Sequence, residues 1–240
     1  MTRIRADQLI VARGLAESRA KARAAIEAGG VTADGAPVTK PAELIAESAE
    51  LAVAAPHPWV SRGGVKLAHA LEVFAIDPAE RVCLDVGAST GGFTQVLLVR
   101  GAARVYAVDV GQAQLHASLR GDERVASLER TDARSLTRAQ IDHAPSLIVC
   151  DVSFIGAAKA LGAPLLLAAP EADLVVLIKP QFEAGPGQGG VLDENHARAV
   201  AADALRSLNG LAGFRLVAQC DSPIRGGDGN LEMLAQLRRA

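Results

Sequence analysis

From residue 82 onward the apolar positions fall into short runs separated by glycine-bearing or polar loops. Val82-Cys83-Leu84-Asp85-Val86 is the first such run. A glycine loop, 87–92, follows it, and then a helical stretch, 93–100, stopped by Gly101. Segments 105–108, 125–128, 147–150, 174–178 and 214–218 repeat the strand pattern, with helices near 156–161 and over 194–208, and a further strand or helix closes the chain. Strands alternating with helices imply an α/β body with a largely parallel sheet covered on both faces.

Before residue 60 the pattern differs. In Ile4-Arg5-Ala6-Asp7-Gln8-Leu9-Ile10, Leu9 and Ile10 face a core while Arg5 and Arg13 stay outside. Ser18 reads as a helix N-cap for 19–28, which Gly29-Gly30 ends. Val31-Thr32-Ala33 reads as a strand, Asp34-Gly35 as a turn, and Leu51-Ala52-Val53 as a closing strand. Pro56, His57 and Pro58 suit extended chain. The expected organisation is a small α+β head, 1–56, a linker, 57–62, and a body, 63–240.

The formal charge of −2 hides an uneven distribution, because Arg3, Arg5, Arg13, Arg19, Lys21 and Arg23 face only Asp7 and Glu17 within the first 23 residues. Such an end either meets a polyanion or is a solvated helix face. Cys83, Cys150 and Cys220 lie in or beside apolar runs without metal or redox spacing, which implies reduced core thiols. His69, His116, His143 and His196 are scattered, so no metal site is expected. The charged N-terminus is unlike a secretory leader, and the longest apolar stretch, 161–178, is interrupted by Pro164, Pro170, Glu171 and Asp173. The expected compartment is the cytoplasm, with no membrane partner.

The loop Asp85-Val86-Gly87-Ala88-Ser89-Thr90-Gly91-Gly92-Phe93 sits where a strand hands over to a helix, which makes a ligand crevice. It lacks the dinucleotide glycine spacing, and no Lys-Ser or Lys-Thr pair closes it as in a P-loop. The Asp85 carboxylate suits the ammonium of a methionine moiety. Asp109, at the end of the second strand, suits the hydroxyls of a ribose, and Asp132, after the third, suits an adenine amino group. Each acid alone is more often a strand-end cap than a ligand contact; on three successive strand ends they point to a nucleoside cofactor.

Lys179 follows five apolar residues and precedes Pro180, so its stem is buried where a strand ends. A lysine there is costly unless paired or used. Asp151, at the end of the neighbouring strand, is its expected partner, either as a pair that fixes two loops or as part of a reaction centre.

The head resembles the S4 RNA-binding domain over residues 3–60, through Arg5-Ala6-Asp7-Gln8-Leu9, Ser18-Arg19-Ala20-Lys21-Ala22 and Gly30-Val31-Thr32-Ala33-Asp34-Gly35. The resemblance makes Arg5, Arg19, Lys21 and Arg23, with Arg62 in the linker, candidates for RNA phosphate contacts. The body, 60–235, resembles the Rossmann-like S-adenosylmethionine-dependent methyltransferases, and its double glycine before Phe93 is similar to the FtsJ-like ribose 2′-O-methyltransferases. Ser89-Thr90, where that group commonly has Ala-Pro, matches instead the hemolysin-A-like rRNA methyltransferases, which also carry an S4 domain. His57-Pro58-Trp59-Val60-Ser61-Arg62-Gly63-Gly64, Ile178-Lys179-Pro180-Gln181-Phe182-Glu183, and Ser222-Pro223-Ile224 with Gly229-Asn230 extend the match. Gly111-Gln112-Ala113-Gln114-Leu115 and Gly190-Val191-Leu192-Asp193 depart from it.

The resemblance implies a catalytic tetrad of Lys66, Asp151, Lys179 and Glu232. It also implies an S-adenosylmethionine site built from Asp85, Gly87, Ser89, Thr90, Gly91, Gly92, Phe93, Asp109, Asp132 and Asp151. A ribose hydroxyl is a very weak acid, and a lysine takes its proton only when neutral, a form that a second cation close by favours. Lys179 is the expected base, with Lys66 steering the hydroxyl and the two acids orienting the lysines. The implied acceptor is a cytidine of 23S rRNA, with 16S rRNA as a second candidate and the ribosomal subunit as partner. Two alternatives stay open: a ribosome-associated RNA-binding protein with a vestigial cofactor pocket, and a membrane-active hemolysin. With aromatics at only 3% of residues, RNA readout by shape and phosphate is expected over base stacking.

Overall fold

The computed structural model describes residues 2–54, 57–185 and 190–239. The chain divides into two compact units, Met1–Pro58 and Trp59–Ala240.

The first unit runs β1 (Arg3–Arg5), α1 (Ala6–Ala12), α2 (Arg19–Glu27), β2 (Val31–Ala33), β3 (Ala36–Pro37), β4 (Leu44–Ala46) and β5 (Leu51–Val53). β1 pairs antiparallel with β4, while β2 lies between β3 and β5. Leu9 and Ile10 are buried together with Ala22, Ile26 and Val31, as the spacing of apolar residues in α1 implies. The Ser18 hydroxyl accepts from the Lys21 amide at 3.3 Å and caps α2. Asp34 and Gly35, with φ of 51° and 78°, turn β2 back into β3.

The second unit begins with α3 (Gly63–Val73). Then come β6 (Val82–Val86), α4 (Gly92–Val99), β7 (Arg104–Val108), α5 (Ala117–Arg120), β8 (Val125–Leu128), β9 (Leu147–Cys150), α6 (Ala157–Leu167) and β10 (Ala172–Ile178). α7 (Pro180–Glu183), α8 (Glu194–Leu208), β11 (Arg215–Asp221) and β12 (Met233–Arg239) complete it. Seven strands form one sheet in the order β11-β12-β10-β9-β6-β7-β8, in which β12 alone runs antiparallel to its neighbours. The sheet is covered on both faces: Leu174, Val176 and Ile178 of β10 join one apolar cluster, and Val175 and Leu177 the other. This is the α/β, Rossmann-like body expected from the strand–helix alternation.

The chain leaves β6 for β7 on one side and later returns to β9 on the other. The order therefore reverses at β6, and a crevice opens at the carboxyl ends of β6 and β9. Three differences from the sequence expectation matter here. Residues 63–73, assigned no element, form α3. α6 continues through Pro164 instead of ending near 161, because Pro164, Leu165 and Leu167 are buried under the sheet and tertiary packing outweighs the lost helix bond. Trp59 and Val60, placed in a linker, pack on the second unit's core, and the Val60 amide donates to Gln95 Oε1 at 2.7 Å.

Candidate active site

Two cavities open at this carboxyl edge. The larger, about 690 Å³, is lined by Val86, Val108, Val110 and Ala133 among apolar residues and by Asp109, Asp132 and Asp151 among acids. The smaller, about 370 Å³, is lined by Ser61, Arg62, Gly63, Thr90, Phe93 and Lys179. Gly87, Ser89, Asp151 and Ser153 wall both, so the two are continuous.

The loop after β6 is held by its neighbours. The amides of Gly87 and Ala88 donate to the Val108 carbonyl at 2.9 and 3.0 Å. Gly87 has φ of 85°, and a Cβ there would stand 2.6 Å from the Asp151 carbonyl. At Gly92 a Cβ would collide with the Ser61 hydroxyl and the Gly64 amide. That glycine thus admits protein chain, and it is what lets α3 approach α4 and carries Lys66 to the site.

The Asp109 carboxylate accepts from the Ser89 amide at 2.8 Å and the Gly111 amide at 2.6 Å, which fixes it on the cavity wall with lone pairs to spare. Asp132 is paired with Arg134 at 2.6 Å, and the side-chain hydrogen bond from Arg134 lowers its pKa to about 2. An apolar slot flanked by two acids has the acceptors an adenosine would need, since its hydroxyls and amino group are donors. Glu129 accepts from the amides of Ala113, Gln114 and Leu115 at 2.7, 3.0 and 3.4 Å and so anchors the loop beside that slot.

Asp85 lies elsewhere than the motif suggests. It is fully buried, walls neither cavity, and accepts from the Thr94 hydroxyl at 2.7 Å, while its Oδ1 has no hydrogen-bond partner among the described residues. Burial, opposed by the Thr94 hydrogen bond and aided by the nearby charge of Asp151, pushes its pKa up to about 7. The reason is the pleat. Leu84 and Val86 share one face of β6, and Asp85 shares the other with Cys83, under α4. Gly91 is likewise off both walls; its φ of 93° starts α4.

The four tetrad residues arrive as two pairs. Lys179 Nζ is 2.6 Å from Asp151 Oδ1 and donates to the Ser153 hydroxyl at 2.9 Å. Lys66 donates to Glu232 in a buried pair. Gly63, one helical turn before Lys66, lies beside Asp151: a Cβ there would stand 3.6 Å from Asp151 Oδ2. On the far side of Lys179, Glu183 accepts from the Ala157 amide at 2.8 Å and ties that loop to the start of α6; burial raises its pKa.

Residues 59–239 match the FtsJ-like methyltransferase family, and residues 4–51 match the S4 domain. The chain belongs to the FtsJ-like methyltransferases. It is 48% identical over 241 residues to the 16S/23S rRNA (cytidine-2′-O)-methyltransferase TlyA of Mycobacterium tuberculosis, covering 98% of this chain and 90% of that protein. It is 41% identical to Hemolysin A of Brachyspira hyodysenteriae, covering 97% of this chain and 98% of that one. The solved structure of a hemolysin from Streptococcus thermophilus superposes with a TM-score of 0.73 at 39% identity, over 100% of this chain and 90% of that chain. The hemolysin-A-like resemblance read from the sequence is thereby shown, and with it the methyltransferase fold.

Within this FtsJ-like body the structure shows contacts that the sequence reading did not assign. Ser153 holds Lys179. Asn230, 2% exposed, accepts from the Leu192 amide at 2.9 Å and donates to the Gly190 carbonyl at 3.1 Å, so the Gly229-Asn230 pair braces the segment entering α8. Phe154 lines the larger cavity yet is 90% exposed, has a φ of 67°, and packs against Phe182 with centroids 4.9 Å apart and the ring planes tilted by 49°. A bulky residue in the left-handed region is a strained feature that marks functional sites. Arg62 borders the smaller cavity and donates to the Arg225 carbonyl. Of the basic head residues, Arg5 and Arg19 bind Asp7, Lys21 pairs with Glu17 and Arg23 with Glu27. Among the described residues no helix is long and apolar enough to cross a membrane, and no three His, Cys, Asp or Glu are grouped to hold a metal ion.

Proposed function

We propose that this chain transfers the methyl group of S-adenosylmethionine to the ribose 2′-hydroxyl of a cytidine in ribosomal RNA, in the cytoplasm. Residues 1–56 would serve as the RNA-binding head, and the catalytic body would begin at Trp59, with only the residues just before it left to link the two. The observation that carries this reading is the placement of Lys179 and Asp151 on the wall of a cavity continuous with one shaped for adenosine.

Asp109 would accept from the cofactor's ribose and Asp132 from its adenine. Gly87, Ser89 and Thr90 would face its methionine end, where the sulfonium supplies an already activated methyl group. What remains for the protein is positioning and proton transfer. Lys179, held by Asp151 and Ser153, must first give up its own proton to solvent; as the neutral amine it takes the proton of the 2′-hydroxyl while that oxygen displaces the sulfur at the methyl carbon. Lys66, fixed by Glu232 behind it, steadies the charge developing on that oxygen. Phe154 and Phe182, at the mouth, offer a stacking face to an unstacked base, a mode the low aromatic content argued against. Arg62 and the head arginines contact phosphates.

The test is transfer of tritiated methyl from S-adenosylmethionine to purified ribosomal subunits, followed by nucleoside analysis. Label in 2′-O-methylcytidine supports the proposal. Label in a base-methylated nucleoside, or no transfer despite cofactor binding, overturns it.

A further inference from the structure

Asp7, in the first turn of α1, is fully buried. Its Oδ1 accepts from Arg5 Nε at 3.0 Å, and its Oδ2 accepts from Arg5 Nη2 and from Arg19 Nη2, each at 2.9 Å. The two arginines come from β1 and from the start of α2, and their side chains remain 39% and 56% exposed. The other head pairs differ: Lys21–Glu17 and Arg23–Glu27 are i,i+4 contacts in which both partners are exposed, the kind that contributes little.

Burying a carboxylate is costly, and here the cost is offset by two guanidiniums that hold Asp7 well below the usual carboxylate range despite its desolvation. The arrangement does more than neutralise charge. Two cations that share one carboxylate oxygen would repel each other without it. With it they are fixed side by side, and the planar fork of Arg5 is locked by a bidentate contact. Each guanidinium has five N–H donors, of which Asp7 takes two from Arg5 and one from Arg19. The remainder, on the exposed side, can meet a second anion.

We propose that Asp7 is a positioning residue for RNA: it holds Arg5 and Arg19 as one preset clamp for a single phosphodiester. The inference rests on the RNA-binding reading above and deepens it. Preorganisation removes the ordering cost of two long side chains at the moment of binding. It also sets a sign. By charge alone, removing an acid beside an RNA surface strengthens binding. By loss of the clamp, it weakens binding.

The experiment measures affinity for purified ribosomal subunits, and KM and kcat for methyl transfer to them, in the full chain. Asp7→Asn is expected to raise Kd and KM by about tenfold with kcat at saturating subunits retained. Arg5→Lys and Arg19→Lys keep charge and acid but lose the fork, and are expected to weaken binding similarly. Asp7→Asn combined with Arg5→Lys is expected to be no worse than either alone, the mark of one shared interaction. Unchanged or tighter binding by Asp7→Asn, with weaker binding by Arg5→Ala, overturns the clamp while leaving the arginines as phosphate contacts. No effect of Arg5→Ala and Arg19→Ala overturns the RNA reading of this surface, and the clamp with it. Should Asp7→Asn fail to fold, as circular dichroism would show, the two lysine variants decide: wild-type KM in both overturns the proposal.

Discussion

Lys66 and Lys179 each meet one carboxylate at the same sheet edge, but in different surroundings. The side chains of Lys66 and Glu232 are 8% and 3% exposed and wall neither cavity, whereas those of Lys179 and Asp151 are 13% and 21% exposed and line the smaller one. Two pairs of identical chemistry are thus divided by accessibility. On the proposed reading the outer pair exchanges a proton with a bound hydroxyl. The inner pair, off both cavity walls, would then act through its field and through the helix it anchors, α3 to the strand β12 that follows Glu232. A buried ion pair is weak evidence for stability, since desolvation of both charges offsets their attraction, but breaking one half of it is expensive.

The comparison breaks first at Lys179. Replacing it with alanine is expected to lower kcat by ~10²–10⁴-fold, the range of a positioned proton acceptor, while cofactor affinity and unfolding midpoint stay near wild type. Full turnover by Lys179→Ala would remove the base from the outer pair and leave the two pairs without the proposed division.

Glu232→Gln tests the inner pair. It strands the Lys66 ammonium in an apolar setting and is expected to cost ~3–5 kcal/mol of stability, read as a fall in the urea midpoint. The double replacement Lys66→Met with Glu232→Leu is expected to recover most of that stability and none of the activity. A single variant as stable as wild type would mean that the inner pair carries no buried charge.

A third acid sharpens the contrast, because Asp85 is buried with no cation paired to it among the described residues. Its pKa is raised to about 7 by burial, above the value of about 4 for an unfolded aspartate. Below about pH 4 the carboxyl is protonated in both states and its contribution to stability is fully present. As pH rises toward 7 the unfolded chain releases the proton while the folded chain keeps it, so stability is lost through that window. Asp85→Asn is expected to flatten this fall: its urea midpoint should drop less than that of wild type between pH 5 and pH 8. Parallel curves would show that Asp85 is ionised in the fold.

How much of this was legible follows from how local each cause is. The strands of the body are runs such as Leu147 to Cys150 and Ala172 to Ile178, all buried, so composition alone marks them. The helix over 194–208 carries its own start signal, with the Asp193 side chain accepting from the His196 amide at 3.0 Å. α3 carries none, since Arg62 makes no capping bond and Gly63-Gly64 reads as a break. Its helix is decided by packing on α4, which Gly92 permits. β4 has three residues and exists through pairing with β1, some forty positions earlier. In the site, Asp109, Asp151 and Lys179 were readable because each follows the last residue of a strand and lines the crevice, and Asp132 because it stands in the short loop that leaves β8. Asp85 was misplaced because it precedes the end by one, and the pleat sends it to the other face.

Phe154 is the residue for which sequence reasoning pointed away from its use, because a count of aromatics says nothing about where one of them stands. It lines the larger cavity, 90% exposed against Phe182, in a backbone conformation that disfavours a side chain. Leaving a large ring in water brings no folding benefit, so its removal should not destabilise the protein; relief of the strain at φ 67° through Phe154→Gly should even raise the unfolding midpoint slightly. If the ring stacks on the acceptor base, Phe154→Ala is expected to weaken binding of ribosomal subunits by ~1–3 kcal/mol, the usual value for one base on one aromatic. Phe154→Tyr or Phe154→Trp should restore it. Cofactor affinity, measured without RNA, separates this from a role in lining the adenosine cavity: a loss there equal to the loss in KM would place Phe154 with the cofactor, and the outer pair would then have no aromatic platform in front of it.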